Sequence, residues 1–218
     1  LKNICKGNAW NARPKDLAHR EIDALEKIRS IHAEEIAVQQ ILQFAFDEQW
    51  SALRAYCTQR GIKLVGDVAI FVSYDSADVW TRPDLFELDK NLAPIRVAGV
   101  PPDYFSATGQ RWGNPLYKWD MMRDNGFNWW IDRMRRAHSL YDIIRLDHFR
   151  GFDTYWEIPG ANETAEIGEW IKAPGYELFE SIGRALGDLP FIAENLGVIT
   201  PEVEAMRQKA TAEGRKPM

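Results

Sequence analysis

The spacing of apolar positions changes several times along the chain. Over residues 14–60 they recur at helical intervals. Phe46, Trp50, Leu53 and Cys57 fall at steps of four, three and four, which puts them on one helix face, and Gly61 stands where it can cap the C-terminus. Residues 62–67 then read as a buried strand. The stretch 73–125 has neither period; it is rich in Pro, Gly, Asp and aromatic residues. A loop of that length is uncommon in a compact domain and is usually functional. A helix over about 127–140, a strand over 142–147, a second irregular stretch over 157–175, a helix over about 176–186 and a strand over 190–194 follow. Thr200 and Pro201 then supply an N-cap and first-turn pair for a last helix. Strands that alternate with helices in this way predict a parallel sheet with crossover helices, an α/β fold.

Three apolar strands run directly into an acid, at Asp67, Asp147 and Glu194. In a (β/α)8 barrel the C-terminal strand ends carry the active site, so acids there are placed for chemistry. A doubly wound sheet would also put ligands at strand ends, but no Gly-rich phosphate turn follows any of these strands. An acid at a strand end also has a plainer use, since it starts turns and caps helices. Asp147 differs from the other two because Arg145 lies two residues before it on the same strand face, and His148 and Arg150 follow at once. A guanidinium at that spacing is expected to hold Asp147 ionised. Phe191, Ile192 and Ala193 are expected to desolvate Glu194 and keep a proton on it. One ionised and one protonatable carboxyl, ~5–5.5 Å apart, is the arrangement of a retaining glycosidase.

Composition narrows the field further. Against 27 Lys and Arg stand 32 Asp and Glu, a net charge of −5, and the basic residues are dispersed, so a phosphate-binding stripe for nucleic acid is not predicted. The longest apolar runs, such as 68–72, fall far short of the ~20 residues that a membrane span needs. Cys5 and Cys57 form neither a metal spacing nor a disulfide framework, which suits a reducing, cytoplasmic setting. Asp75 and Asp78 lack the further oxygen ligands of a calcium loop, and no metal is predicted. Nine Trp is a high count. Such rings fill cores, as expected for Trp129 and Trp130, and they also line sugar clefts. In the long loop, Tyr104, Phe105 and Trp112 could stack on pyranose faces while Asp103, Gln110 and Asn114 bond hydroxyls; equally, the aromatics could simply pin the loop.

Residues 99–117, from Gly99-Val100-Pro101-Pro102-Asp103-Tyr104-Phe105 through Gly109-Gln110-Arg111-Trp112-Gly113-Asn114-Pro115 to Tyr117, resemble the loop peculiar to 4-alpha-glucanotransferases. These are the amylomaltases or disproportionating enzymes of glycoside hydrolase family 77. Arg145-Leu146-Asp147-His148-Phe149-Arg150-Gly151 resembles that family's nucleophile strand, and Ala193-Glu194-Asn195-Leu196-Gly197 its acid/base strand 47 positions later. Gly66-Asp67 and 75–80 match as well. The resemblance runs from about Ile36 to Met218.

It implies a (β/α)8 barrel that moves part of an α-1,4-glucan onto the 4-hydroxyl of glucose or of another maltooligosaccharide, without a cofactor. By position, Asp147 becomes the nucleophile and Glu194 the acid/base. Arg145 and His148 orient the nucleophile and sugar, Asp67 lies in the polar floor, and Asp103, Gln110 and Trp112 overhang the cleft. Two departures stand out. Ala69 occupies an expected proline position. The family's third carboxylate, an Asp after a His on a later strand, has no counterpart: His19, His32, His138 and His148 precede Arg, Ala, Ser and Phe. A complete barrel typically takes ~250 residues, so 218 residues beginning with Leu1 are expected to be the central part of a longer enzyme, 1–218 forming an incomplete catalytic domain with insertions at 73–125 and 157–175. The rest of its own barrel is then an expected partner. An α-amylase-type hydrolase and a non-catalytic glucan-binding fragment are the alternatives.

Overall fold

The computed structural model describes residues 2, 5–194 and 200–212, the last four without their side chains. Short helices α1 (Lys15–Ala18) and α2 (Ile22–Ile31) lead into the long α3 (Ala33–Gln59), after which β1 (Val65–Ala69) enters the sheet. Next come α4 (Ala77–Thr81), β2 (Arg96–Val100), β3 (Gln110–Pro115), α5 (Trp119–Asp124) and α6 (Asn128–Leu140). β4 (Ile143–Asp147), β5 (Thr154–Pro159), β6 (Glu169–Lys172), α7 (Gly175–Leu186), β7 (Phe191–Ala193) and α8 (Pro201–Ala212) complete the order. Among the described residues no helix is long and apolar enough to cross a membrane.

β1, β4 and β7 form a parallel sheet in that order, with α6 and α7 on the connections between its strands. Side chains alternate across it. Gly66, Val68, Ile144, Leu146 and Phe191 are buried on one face, while Asp67, Arg145 and Ile192 lie on the other, more open one. Gly66 is required by its neighbour: a Cβ there would lie 1.9 Å from the Tyr141 ring.

The first strand begins three residues later than its apolar run suggests, and Asp67 sits at its centre instead of at its end. Ile62 and Val65 are half exposed. Pairing explains the offset. Register starts at Val65 opposite Ile143, and just before it the Asp142 carboxylate accepts the Leu64 N–H at 2.9 Å in place of a ladder partner. The stripe on α3 is likewise only partly covered. Trp50 packs against Tyr141 and donates to the Leu140 carbonyl at 2.8 Å, and Cys57 is buried, but Phe46 and Leu53 remain about half exposed.

The two irregular stretches are more ordered than their sequence suggests. Segment 73–125 contributes β2 and β3, segment 157–175 contributes β6 and the end of β5, and together they build one antiparallel sheet ordered β3-β2-β5-β6. Its pairing joins positions some sixty residues apart, which local periodicity does not register. The two sheets meet over an aromatic core. Trp130, fully buried, touches Tyr117, Trp129 and Phe152, with ring centroids 5.6, 5.4 and 5.3 Å away.

Trp130→Ala is therefore expected to cost ~3–5 kcal/mol, read as a lower midpoint in urea denaturation. Tyr104, 97% exposed, serves as the comparison: Tyr104→Ala should change stability by no more than about 0.5 kcal/mol.

Candidate active site

Parallel pairing places Asp67 beside Arg145 and Ala69 beside Asp147, and β7 brings Glu194 just beyond its last residue. Arg145 gathers all three acids. Its Nη1 donates to Asp67 Oδ1 at 2.6 Å and its Nη2 to Glu194 Oε1 at 2.6 Å, while Nη2 lies 3.2 Å from Asp147 Oδ1. Planar, fixed donors suit a guanidinium to this task, which a lysine ammonium could not share in the same geometry. Glu194 Oε2 also accepts the backbone N–H of His148 at 2.7 Å.

That backbone contact depends on a left-handed residue. His148 has φ +51°, which turns the chain sharply after the strand into a short 3-10 turn, Phe149–Phe152. Gly151 lets the turn close: a Cβ there would come within 2.9 Å of both the His148 ring and Ile70. Arg150, costly to bury alone, is buried with its guanidinium 4.2 Å from the Trp170 ring and an Nη2 donating to Thr154 Oγ1 at 3.3 Å. The motif marks Arg150 as unusual, but only the β5–β6 pairing shows what meets it.

The protonation states differ from those the local sequence suggests. Burial and the adjoining Glu194 carboxylate hold Asp147 above the ordinary aspartate value, against the pull of Arg145. Burial also pushes Glu194 up, but the His148 N–H, a hydrogen bond from Asp147 and the Arg145 charge bring it below its ordinary value. Two facts reverse the expectation. Arg145 reaches Glu194 more closely than Asp147. Phe191, expected to desolvate Glu194, is instead buried on the other face of the sheet. The carboxyls of Asp147 and Glu194 interact directly, and each shifts the other. His148 is neutral: burial and the Arg150 charge, partly opposed by Glu194, push its imidazole down to about 4.

The long loop reaches the group through β3. The Trp112 ring meets the His148 ring edge to face, 4.9 Å between centroids, and its Nε1 donates to Gln110 Oε1 at 3.1 Å. Other candidates in the loop have different work. Asn114 donates to the Val72 carbonyl at 2.9 Å, tying β3 to the chain that leaves β1. Asp103 Oδ1 accepts the N–H groups of Phe105 and Ser106 at 2.9 and 2.8 Å, so its carboxylate stabilises its own turn. That turn holds Tyr104 and Phe105 almost fully exposed, edge to face with each other at 5.7 Å. Asn195, Leu196 and Gly197 of the acid/base motif lie outside the described residues.

A parallel sheet thus brings three carboxylates from adjacent strands to one guanidinium, with Trp112 of the long loop beside His148. The chain matches the glycoside hydrolase family 77 profile, described as 4-alpha-glucanotransferase, over residues 1–217, and it belongs to that family. It is 50% identical over 216 residues to the 4-alpha-glucanotransferase of Thermus thermophilus, with 99% of this chain and 43% of that protein covered. It is 49% identical over 218 residues to that of Synechocystis sp., with the same coverage. Among solved structures, the amylomaltase from Streptococcus agalactiae in complex with acarbose superposes with a TM-score of 0.92 at 44% identity, covering 96% of this chain and 42% of that one. The chain thus spans less than half the length of these relatives.

His148 should stay unprotonated in NMR titration until pH falls to about 4. Because its folded pKa lies below the unfolded value of ~6.5, the stability it contributes is fully present above pH 6.5 and is lost as pH falls from there toward 4. His148→Gln should remove that part of the acid sensitivity, measured as the pH dependence of the urea midpoint.

Proposed function

We propose that this chain is the central part of a cytoplasmic 4-alpha-glucanotransferase, three neighbouring strands of a (β/α)8 barrel whose other strands lie in the rest of a polypeptide of family length. The observation that carries the reading is the convergence of Asp67, Asp147 and Glu194 on Arg145, beside His148 and Trp112. The segments 73–125 and 157–175 act as its active-site insertions.

In this reading an α-1,4-glucan enters with its scissile glucosyl ring between Asp147 and Glu194, replacing their mutual interaction and seating them at the ~5–5.5 Å of a retaining pair. With substrate bound, the proton resides on Glu194, and Asp147 is the carboxylate. Asp147 Oδ attacks the anomeric carbon while Glu194 gives its proton to the departing 4-oxygen, leaving a glucosyl ester on Asp147. The 4-hydroxyl of glucose or of another maltooligosaccharide attacks that ester, Glu194 takes its proton, and Asp147 is released, so configuration is retained.

Arg145 keeps its charge throughout and steadies whichever carboxylate is ionised. Neutral His148 hydrogen-bonds a sugar hydroxyl without adding charge, and Asp67 anchors Arg145 from below. Trp112 and Gln110 cover the ring from above, and Tyr104 on its exposed turn meets the chain further out. An aromatic cover favours transfer over hydrolysis by keeping water from the glucosyl ester. The third carboxylate of the family comes from the part of the barrel beyond these residues, so the 218-residue chain alone is inactive, and the remainder of the barrel is its necessary partner.

A polypeptide of family length carrying these residues should convert maltotriose into free glucose and a ladder of longer maltooligosaccharides, followed by chromatography. Asp147→Asn should lower turnover by about 10³-fold or more with an unchanged circular dichroism spectrum. Hydrolysis without longer products would overturn the transferase reading, and transfer by the isolated 218-residue chain would overturn the need for the rest of the barrel.

A further inference from the structure

Among the described residues three charged side chains are buried: Arg150, Asp153 and Glu157. Asp153 is bonded to Lys172 and Glu157 to Arg96. For Arg150 no described carboxylate lies within ion-pair distance; Asp153 acts on it only from farther away. Its Nε has no hydrogen-bond acceptor among them either. A guanidinium keeps its charge at any ordinary pH, so its burial is not relieved by losing a proton. What receives it is the Trp170 ring, 4.2 Å away, with the Thr154 hydroxyl at 3.3 Å. The π face of an indole attracts a cation most strongly where water is excluded.

Both partners come from the paired strands β5 and β6. Thr154 opposes Lys172 and Trp156 opposes Trp170, so Thr154 and Trp170 share one face of the sheet. Arg150 is thereby clamped where the chain leaves the 3-10 turn for β5. The turn itself is hydrogen-bonded at both ends: the Gly151 N–H donates to the His148 carbonyl and the Asp153 N–H to the Arg150 carbonyl, each at 2.9 Å. His148, at φ +51°, holds a conformation that a residue with a Cβ keeps only when its surroundings fix it. Without the Trp170 ring the guanidinium would turn toward water and the turn would relax with it. The contact most directly at stake is that of the His148 N–H with Glu194 Oε2, at 2.7 Å.

We propose that Trp170 is a positioning residue for Glu194: its ring holds the Arg150 guanidinium, Arg150 fixes the left-handed turn at His148, and the His148 N–H fixes the Glu194 carboxyl. Trp170 acts through Arg150 and the turn, not through the sugar. The role of Glu194 as acid/base rests on the proposed function, whereas the line of contacts from Trp170 to its carboxyl does not. Trp170 is 43% exposed and lies outside the aromatic core, so another apolar side chain there leaves that core intact.

The test uses a polypeptide of family length carrying these residues, with Trp170→Leu, which removes the π face, and Trp170→Phe, which keeps one. On maltotriose, Trp170→Leu should lower kcat about tenfold or more and leave KM within about twofold, and Trp170→Phe should recover most of the loss. Hydrogen exchange of the His148 amide is followed by NMR with ¹⁵N-labelled histidine, the signal being assigned by its absence in His148→Gln. It should be about tenfold faster or more in Trp170→Leu and near the parent rate in Trp170→Phe, while the amide of His138, inside α6, exchanges as before. A raised KM with kcat unchanged would put Trp170 on the sugar and overturn the proposal. So would a Trp170→Phe enzyme as impaired as Trp170→Leu, or a His148 amide that exchanges at one rate in the parent and in Trp170→Leu. If the parent makes no longer maltooligosaccharides, the proposed function fails, and the amide exchange by itself decides whether Trp170 holds the contact to Glu194.

Discussion

The arrangement turns on one guanidinium serving three carboxylates from three adjacent strands. Asp67, Asp147 and Glu194 would repel one another if brought together without a counter-charge, and each would be driven toward its protonated form. Arg145 removes that obstacle. Its planar fork bonds Asp67 on one side and Glu194 on the other, with Asp147 alongside, so parallel pairing of β1, β4 and β7 and the gathering of the acids occur together. Because the group is partly open to water, its value lies in geometry and protonation state more than in fold stability.

That arrangement holds Asp147 above and Glu194 below their ordinary values and leaves an imidazole that stays neutral. The His148 backbone N–H on Glu194 and the Arg150 charge beside the imidazole both come from the same tight turn after β4. The turn closes because Gly151 leaves room for the His148 ring and because Arg150 has Trp170 to pack against. Backbone strain at His148 is thus supported from β6, a strand far along the chain from the loop that carries Trp112.

The antiparallel sheet connects those two supports. β3 brings Trp112 to His148, β6 brings Trp170 to Arg150, and β2 with β5 joins them. Residues that look alike in the sequence of the long loop consequently do different things. Trp112 meets the site, Asn114 fastens its strand, Asp103 closes a turn and Tyr104 stands in solvent. Aromatic and amide residues on a Gly- and Pro-punctuated loop cannot be sorted in this way from local pattern, because the sorting depends on where each strand is pinned.

What the sequence determined by itself was the alternation of strands and helices, the helices near 127–140 and 176–186, the apolar strand leading to Asp147, and the family to which the motifs belong. Those features are local: side-chain period and a few contiguous residues suffice to specify them. Tertiary structure alone decided the joining of two irregular stretches into one sheet, the place of Asp67 inside its strand, and the exchange of protonation tendencies between Asp147 and Glu194. Each depends on contacts between residues far apart in the chain. A carboxyl's pKa follows from which donors reach it in space, and Arg145, two residues from Asp147 in sequence, reaches more closely to a carboxylate 49 residues away.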